Sequence, residues 1–209
     1  MSTFSTVSND FVLEVSKNGF IRRTPSVDEN FAYGFAANTL YALKTADGTN
    51  AFSILARVTS GDDNPTSLPV LSGKQSAFAI NNGTLVGFDL ATKSLAWKAA
   101  GLAVGVPVYA KDVVYVLTAK GAELEARSPE TGALLWSSDK LHDYDKFEQL
   151  VVTDNLAFVS SADRTAAIDL NTRKIVWEYP LGGTLSISNR GVLYITGGKR
   201  EKLAAINLE

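Results

Sequence analysis

The chain has 209 residues, with 20 lysines and arginines against 22 aspartates and glutamates, so its net charge at pH 7 is -2. Such a balance, with no basic run longer than Lys199-Arg200, lacks the basic patch of a nucleic-acid binder. The sequence has no cysteine and one histidine, His142, which excludes disulfides, thiolate metal sites and multi-histidine centres within one chain.

The N-terminal region predicts two degenerate strands and no leader. Its first ten residues lack the basic and apolar regions of a signal peptide. Residues 11–15 read as an inner strand and residues 19–23 as an outer strand. We also expect no membrane span, because the longest charge-free apolar stretch, 99–110, is too short and contains Pro107 and two glycines.

A repeat follows along the rest of the chain. Residues 40–52, 85–97, 124–136 and 165–177 align without gaps, and a truncated copy starts at Leu203. The third column always holds a small residue, the ninth a glycine or a basic residue, and the thirteenth an aromatic residue. The third column holds Ala42, Gly87, Ala126 and Ala167. The ninth column holds Gly48, Lys93, Gly132 and Arg173, and the thirteenth holds Phe52, Trp97, Trp136 and Trp177. Apolar alternation around an Asp-Gly or Thr-Gly turn predicts a β-hairpin in each copy.

Two further strands are predicted before each hairpin. One carries a central aromatic residue and is rich in β-branched residues, and the one before it is short and often contains proline. A four-stranded unit repeated every 40–45 residues or so is the signature of a β-propeller blade. The predicted fold is therefore an all-β propeller in one domain, residues 1–209. Its five blade units are 24–54, 60–98, 105–137, 147–178 and 184–209 with 19–23.

Ring closure has two interpretations. If residues 19–23 pair beside the last strand, the two chain ends close a five-bladed ring and remove both sheet edges. If residues 11–15 belong to a further blade, the chain is a partial ring that another chain or segment completes. The second interpretation predicts self-association.

The hairpin resembles the tryptophan-docking motif of the quinoprotein (PQQ-like) β-propeller repeat. It stands here as Gly87-Phe-Asp-Leu-Ala-Thr-Lys-Ser-Leu-Ala-Trp97, and it recurs at 126–136 and 167–177. The resemblance implies that Trp97, Trp136 and Trp177 are buried structural residues that dock neighbouring blades. Phe52 takes the equivalent place in the first blade.

The enzymes of this family imply an activity that the sequence does not support. Family dehydrogenases are longer, with an eight-bladed ring, a calcium-bound quinone and in many cases a vicinal cysteine pair that this chain lacks. No convergent pair of acid–base groups is visible in the sequence. We expect a non-enzymatic chain without catalytic residues, metal or cofactor.

Two polar connections predict a binding face. The first, around residues 60–67, and the second, around 138–147, each join the outer strand of one blade to the inner strand of the next. Loops on a rigid scaffold often hold binding residues. The predicted binding residues are Arg57, Asp62, Asp63, His142, Tyr144 and Asp145.

Other interpretations of these segments stay open. The connections are also typical of solvated loops, and Asp139, Asp143 and Asp145 could act as calcium ligands. The glycine pairs 182–183 and 197–198 could cradle phosphate, but neither precedes a predicted helix, which favours turns.

The predicted function is a protein-binding or assembly scaffold that uses one loop face. The resemblance implies roles such as those of family members that assist outer-membrane β-barrel assembly or sense unfolded protein, and it favours a periplasmic or extracellular location. One alternative is a carbohydrate-binding propeller, which predicts the same aromatic and polar pocket in each blade. Another is a fragment of a quinone-dependent dehydrogenase.

Overall fold

The second strand of each predicted blade forms the centre of a sheet in the structure. The computed structural model describes residues 25–36, 38–58, 67, 69–99, 101–119, 122–141, 147–197 and 202–208. Within these ranges the chain forms nineteen strands in five antiparallel sheets and no helix, and thus no helix that could cross a membrane. The chain divides into two compact units, residues 1–100 with 130–132, and residues 101–129 with 133–209.

The first unit contains two four-stranded sheets whose strands follow chain order. The first sheet consists of β1 (Ser26–Val27), β2 (Phe31–Ala36), β3 (Thr39–Lys44) and β4 (Asn50–Leu55). The second sheet consists of β5 (Val70–Leu71), β6 (Ser76–Asn81), β7 (Thr84–Asp89) and β8 (Ser94–Ala99).

The second unit contains three sheets built in the same way. The third sheet is β9 (Ala103–Ala110), β10 (Val113–Thr118), β11 (Glu123–Arg127) and β12 (Leu134–Ser137). The fourth sheet is β13 (Phe147–Val152), β14 (Leu156–Ser161), β15 (Thr165–Asp169) and β16 (Ile175–Tyr179). In the fifth sheet the described strands are β17 (Thr184–Ile187), β18 (Val192–Gly197) and β19 (Lys202–Asn207).

Tight turns with left-handed backbone join the strands. Asn82 and Gly83, between β6 and β7, have φ values of 48° and 75°, as a two-residue type I′ turn requires. Lys111 and Asp112, between β9 and β10, have φ values of 49° and 57° without any glycine. The strand pairing on both sides holds these two residues in a conformation that they rarely adopt.

The hairpin register explains the small third column of the repeat. In each of the first four sheets the small residue lies directly opposite the aromatic residue. The pairs are Ala42 with Phe52, Gly87 with Trp97, Ala126 with Trp136 and Ala167 with Trp177. Side chains directly opposite each other are close neighbours on one face, so a large ring requires a small partner. A register shift follows each pair on the turn side.

Each unit has hydrophobic clusters between its own sheets. In the first unit Tyr33 and Phe35 of the first sheet pack with Phe88 of the second, and the Phe35 and Phe88 ring centroids are 5.9 Å apart. In the second unit one cluster holds Leu117 and Ile168, and another joins the fourth and fifth sheets. The central strands β6, β10 and β14 are buried at successive positions, so both of their faces are covered. Burial of this apolar surface stabilises each unit.

The prediction of an all-β chain of four-stranded antiparallel blades is confirmed. The pairing of residues 19–23 with the last strand stays a prediction, because 1–24 lie outside the described residues. The placement of all five blades in one domain also stays a prediction.

Candidate binding site

The predicted loop face lies mostly beyond the described part of the chain. Five of the six predicted binding residues lie outside the described residues: Asp62, Asp63, His142, Tyr144 and Asp145. Asp143 also lies outside them, so the calcium interpretation stays a prediction. Arg57 is described. It is exposed just after β4, with a φ of 51°, and its carbonyl oxygen accepts a 3.0 Å hydrogen bond from Lys98 Nζ.

Three of the four glycines considered as phosphate cradles lie against backbone. A Cβ on Gly182 would be 2.0 Å from the Ser161 carbonyl oxygen, and one on Gly183 would be 2.2 Å from that of Thr196. A Cβ on Gly197 would be 2.3 Å from the Gly182 carbonyl oxygen. These glycines let neighbouring backbone segments approach closely, Gly182 and Gly183 between β16 and β17 and Gly197 at the end of β18.

The aromatic column is buried to different degrees. Trp97 is 9% exposed, and its ring stacks on Phe78 with centroids 5.9 Å apart. Phe52, Trp136 and Trp177 are half-buried. Trp177 stacks on Tyr179 with centroids 5.7 Å apart. The docking role that the resemblance implies for these rings stays a prediction.

The ninth column has a role that the sequence did not reveal. Its residues Gly48, Lys93, Gly132 and Arg173 all have left-handed φ values, from 54° to 74°. Within the first unit Lys93 Nζ lies 5.2 Å from the centroid of Phe52, and a Cβ on Gly132 would be 2.4 Å from Trp97 Cε3. Within the second unit the Arg173 guanidinium lies 5.7 Å from the centroid of Trp136. The turns of the second, third and fourth hairpins therefore each cover the aromatic residue of the preceding hairpin, and two of them place a cation over the ring.

A cavity of about 300 Å³ opens beside Phe52 in the first unit. Its apolar lining includes Phe31 and Leu71, and Lys93 lies among its polar residues. In the second hairpin the equivalent ring, Trp97, is wedged between Gly87 and Gly132. The Phe52 cavity is therefore not repeated at Trp97, whereas the carbohydrate-binding alternative predicted one pocket in each blade.

Asp28 organises one part of the cavity lining. Its Oδ1 accepts hydrogen bonds from the backbone N–H groups of Asn30 and Phe31, both at 2.8 Å, and its Oδ2 accepts one from the Tyr33 hydroxyl at 2.9 Å. Burial raises the pKa of Asp28, but these three hydrogen bonds outweigh it and hold the pKa below its ordinary value. Burial, and then the bond to Asp28, raise the pKa of Tyr33.

Aspartates in the hairpin turns have lowered pKa values for a related reason. The Thr92 backbone N–H is the main group that lowers the pKa of Asp89, and the Thr172 N–H does the same for Asp169. The distances from these N–H groups to the two Oδ1 atoms are 3.0 and 2.7 Å. A carboxylate that accepts such bonds is stabilised in its charged form.

We expect stability to fall on acidification as these two turns lose charge. A pKa lowered in the folded state gives stability that is complete above the unfolded value, near 3.8, and is lost as the pH falls through the folded value. The double variant Asp89→Asn with Asp169→Asn keeps the acceptor oxygens but does not titrate. Its unfolding temperature should fall less than that of the parent between about pH 5 and pH 2. Parallel curves for the two proteins would contradict this expectation.

The described residues do not place three or more histidine, cysteine, aspartate or glutamate side chains together as a metal site. The polar groups described above serve turns and the cavity lining.

Comparison with known proteins identifies the repeat. The family model described as outer membrane protein assembly factor BamB matches residues 55–207, more than half of the chain. The chain belongs to the BamB family. It is similar in structure to BamB from Moraxella catarrhalis, with a TM-score of 0.70 and 18% identity over 88% of this chain. No curated protein matches the sequence.

The BamB likeness confirms the predicted fold. At 18% identity it shows the fold alone, a β-propeller of the PQQ-like repeat type. The chain spans 58% of the length of the Moraxella BamB. The family's description is that of an assembly factor rather than of an enzyme.

Proposed function

We propose that the chain is a non-catalytic, protein-binding scaffold that takes part in the assembly of outer-membrane proteins. The observation that carries this proposal is the match of residues 55–207 to a family described as an outer membrane protein assembly factor. A fold by itself does not define a function, so the proposal depends on the family and needs a test of binding.

The structure supports a scaffold in which loops are held by well-packed sheets. Tyr33 and Phe88 are almost fully buried in the first unit, as are Leu124 and Ile168 in the second. Such cores keep the ends of the strands in place, so the connections that leave β4 and enter β13 start from ordered backbone. We assign partner binding to these connections, through Arg57, Asp62, Asp63, His142, Tyr144 and Asp145.

Site-specific photo-crosslinking tests this assignment. A photoreactive phenylalanine analogue is introduced at Arg57 or at Tyr144 in the full chain, which is then irradiated with a cell-envelope extract. The matched control carries the analogue at the exposed Asn171, in the β15–β16 turn at the opposite end of its sheet from the start of β13. Mass spectrometry identifies the products.

The expected result is a crosslink to an outer-membrane protein or to a component of its assembly machinery, at least tenfold stronger from Arg57 and Tyr144 than from Asn171. Equal yields from all three positions would contradict the loop assignment. Products that include no envelope protein would contradict the proposed function.

A further inference from the structure

We propose that the cavity beside Phe52 binds one large apolar side chain, aromatic or aliphatic, from an acidic peptide segment of a protein partner. This inference rests on the proposed function, because it supplies a recognition site for such a partner. The cavity volume of about 300 Å³ is at the lower end of the range for ligand pockets and suits a single large side chain.

The cavity exists because the first hairpin departs from the pattern of the second. There, Trp97 is held between Gly87 and Gly132, and a Cβ on either glycine would overlap its ring. In the first hairpin the small residue is Ala42 and the ring is the smaller Phe52, which Lys93 covers instead of a glycine. The smaller ring leaves space beside it.

The apolar wall of the cavity contains two aromatic rings and two leucine side chains. Phe31 and Phe52 meet edge to face, with centroids 5.6 Å apart, and Leu71 and Leu90 complete the wall. All four side chains are half-buried and line the cavity. An apolar ligand group would remove this surface from water.

The charges of the lining favour an acidic segment. Asp28 stays ionised, but both of its carboxylate oxygens already accept hydrogen bonds, three in all, from its own turn and from Tyr33. Lys93 is exposed, and its ammonium lies over the ring of Phe52 at 5.2 Å. A peptide carboxylate next to the bound apolar side chain would therefore lie close to the Lys93 ammonium and be attracted to it.

Fluorescence anisotropy with labelled pentapeptides tests the proposal on the full chain. The probe is Glu-Asp-Phe-Asp-Glu, and the controls are Glu-Asp-Ala-Asp-Glu and Lys-Lys-Phe-Lys-Lys. We expect the probe to bind at least tenfold more tightly than either control, and its binding to weaken as sodium chloride is raised. Equal binding of the alanine peptide would overturn the apolar pocket, and equal binding of the lysine peptide would overturn the charge assignment.

Two variants locate the binding. Phe52→Trp fills the cavity with the residue that the other three hairpins use, and it should weaken probe binding at least tenfold. Lys93→Gly removes the cation but keeps the left-handed turn, because glycine occupies the same column at Gly48 and Gly132. It should weaken probe binding about fivefold and abolish most of the salt dependence.

The urea midpoint of each variant shows that it folds. If Phe52→Trp fails to fold, Lys93→Gly decides the assignment alone. Probe binding that neither variant changes would place the peptide elsewhere on the molecule.

Failure here is distinguishable from failure of the proposed function. Loop crosslinks without peptide binding would leave the scaffold proposal standing and overturn the cavity as a partner site. Absence of both would overturn the two together.

Discussion

The Gly182→Ala variant is expected to lose about 3 kcal/mol or more of its free energy of unfolding, the upper range for overpacking. The new Cβ would lie 2.0 Å from the Ser161 carbonyl oxygen and 2.8 Å from the Arg164 nitrogen. Both are backbone atoms, and Ser161 N–H is bonded to the Arg164 carbonyl oxygen at 2.9 Å.

Neighbouring side chains prevent the Gly182 segment from moving away. The Ser160 hydroxyl donates to the Gly183 carbonyl oxygen at 2.6 Å, and the Thr165 hydroxyl donates to the Leu181 carbonyl oxygen at 2.8 Å. Ser160 and Thr165 are fully buried, so breaking these bonds to make room would leave unpaired polar groups in the core.

Urea unfolding of the Gly182 variant, with Gly191→Ala as the control, measures the effect. Gly191 has a φ of 70° and nothing within 4 Å of a Cβ, so alanine there introduces backbone strain alone. The cost of that strain is about 1–2 kcal/mol. Equal losses for the two variants would show that close approach is not the cause.

Gly87→Ala is expected to cost about 2–3 kcal/mol, because the added methyl group meets the ring of Trp97. A Cβ on Gly87 would be 2.2 Å from Trp97 Cε2. On the other side of the ring, a Cβ on Gly132 would be 2.4 Å from Cε3. The indole is therefore held between two backbone segments and cannot shift toward either.

A second substitution should relieve the Gly87 clash. Trp97→Phe in the Gly87→Ala background recreates the Ala42 and Phe52 pair of the first sheet, so the double variant should be more stable than the sum of the single losses indicates. A double-mutant cycle from urea midpoints gives the coupling energy, which we expect to be about 1–3 kcal/mol. Additive losses would mean that ring and methyl group do not meet.

The repeat made the fold predictable, because its periodicities are local. Alternation, turn residues and the spacing of the aromatic column define four strands per unit without reference to other units. The opposition of Ala126 to Trp136 also follows from hairpin register, which the turn determines. The family resemblance, given on these columns, is confirmed by the match over residues 55–207.

The cavity and the ninth column could not be predicted in the same way. Both depend on contacts between successive sheets, and sequence spacing does not give the distance between two sheets. Lys93 and Arg173 look like ordinary turn residues in the sequence, although each stands over a ring about 40 residues earlier. The recurrence of a glycine-or-basic column and an aromatic column in all four complete copies is the signal that could have paired them. Arg57 and the other predicted loop residues have no such recurrent partner.

Because a later turn covers each of these rings, the rings become buried in chain order during synthesis. Phe52 leaves the ribosome well before Lys93, and Trp136 well before Arg173. Each ring therefore stays uncovered until roughly 40 further residues have been added. At ordinary translation rates that wait is about 2 to 8 s. During it the newest aromatic side chain is accessible to chaperones, and the exposed position advances one hairpin at a time along the nascent chain. Completion of each hairpin therefore depends on the chain that follows it.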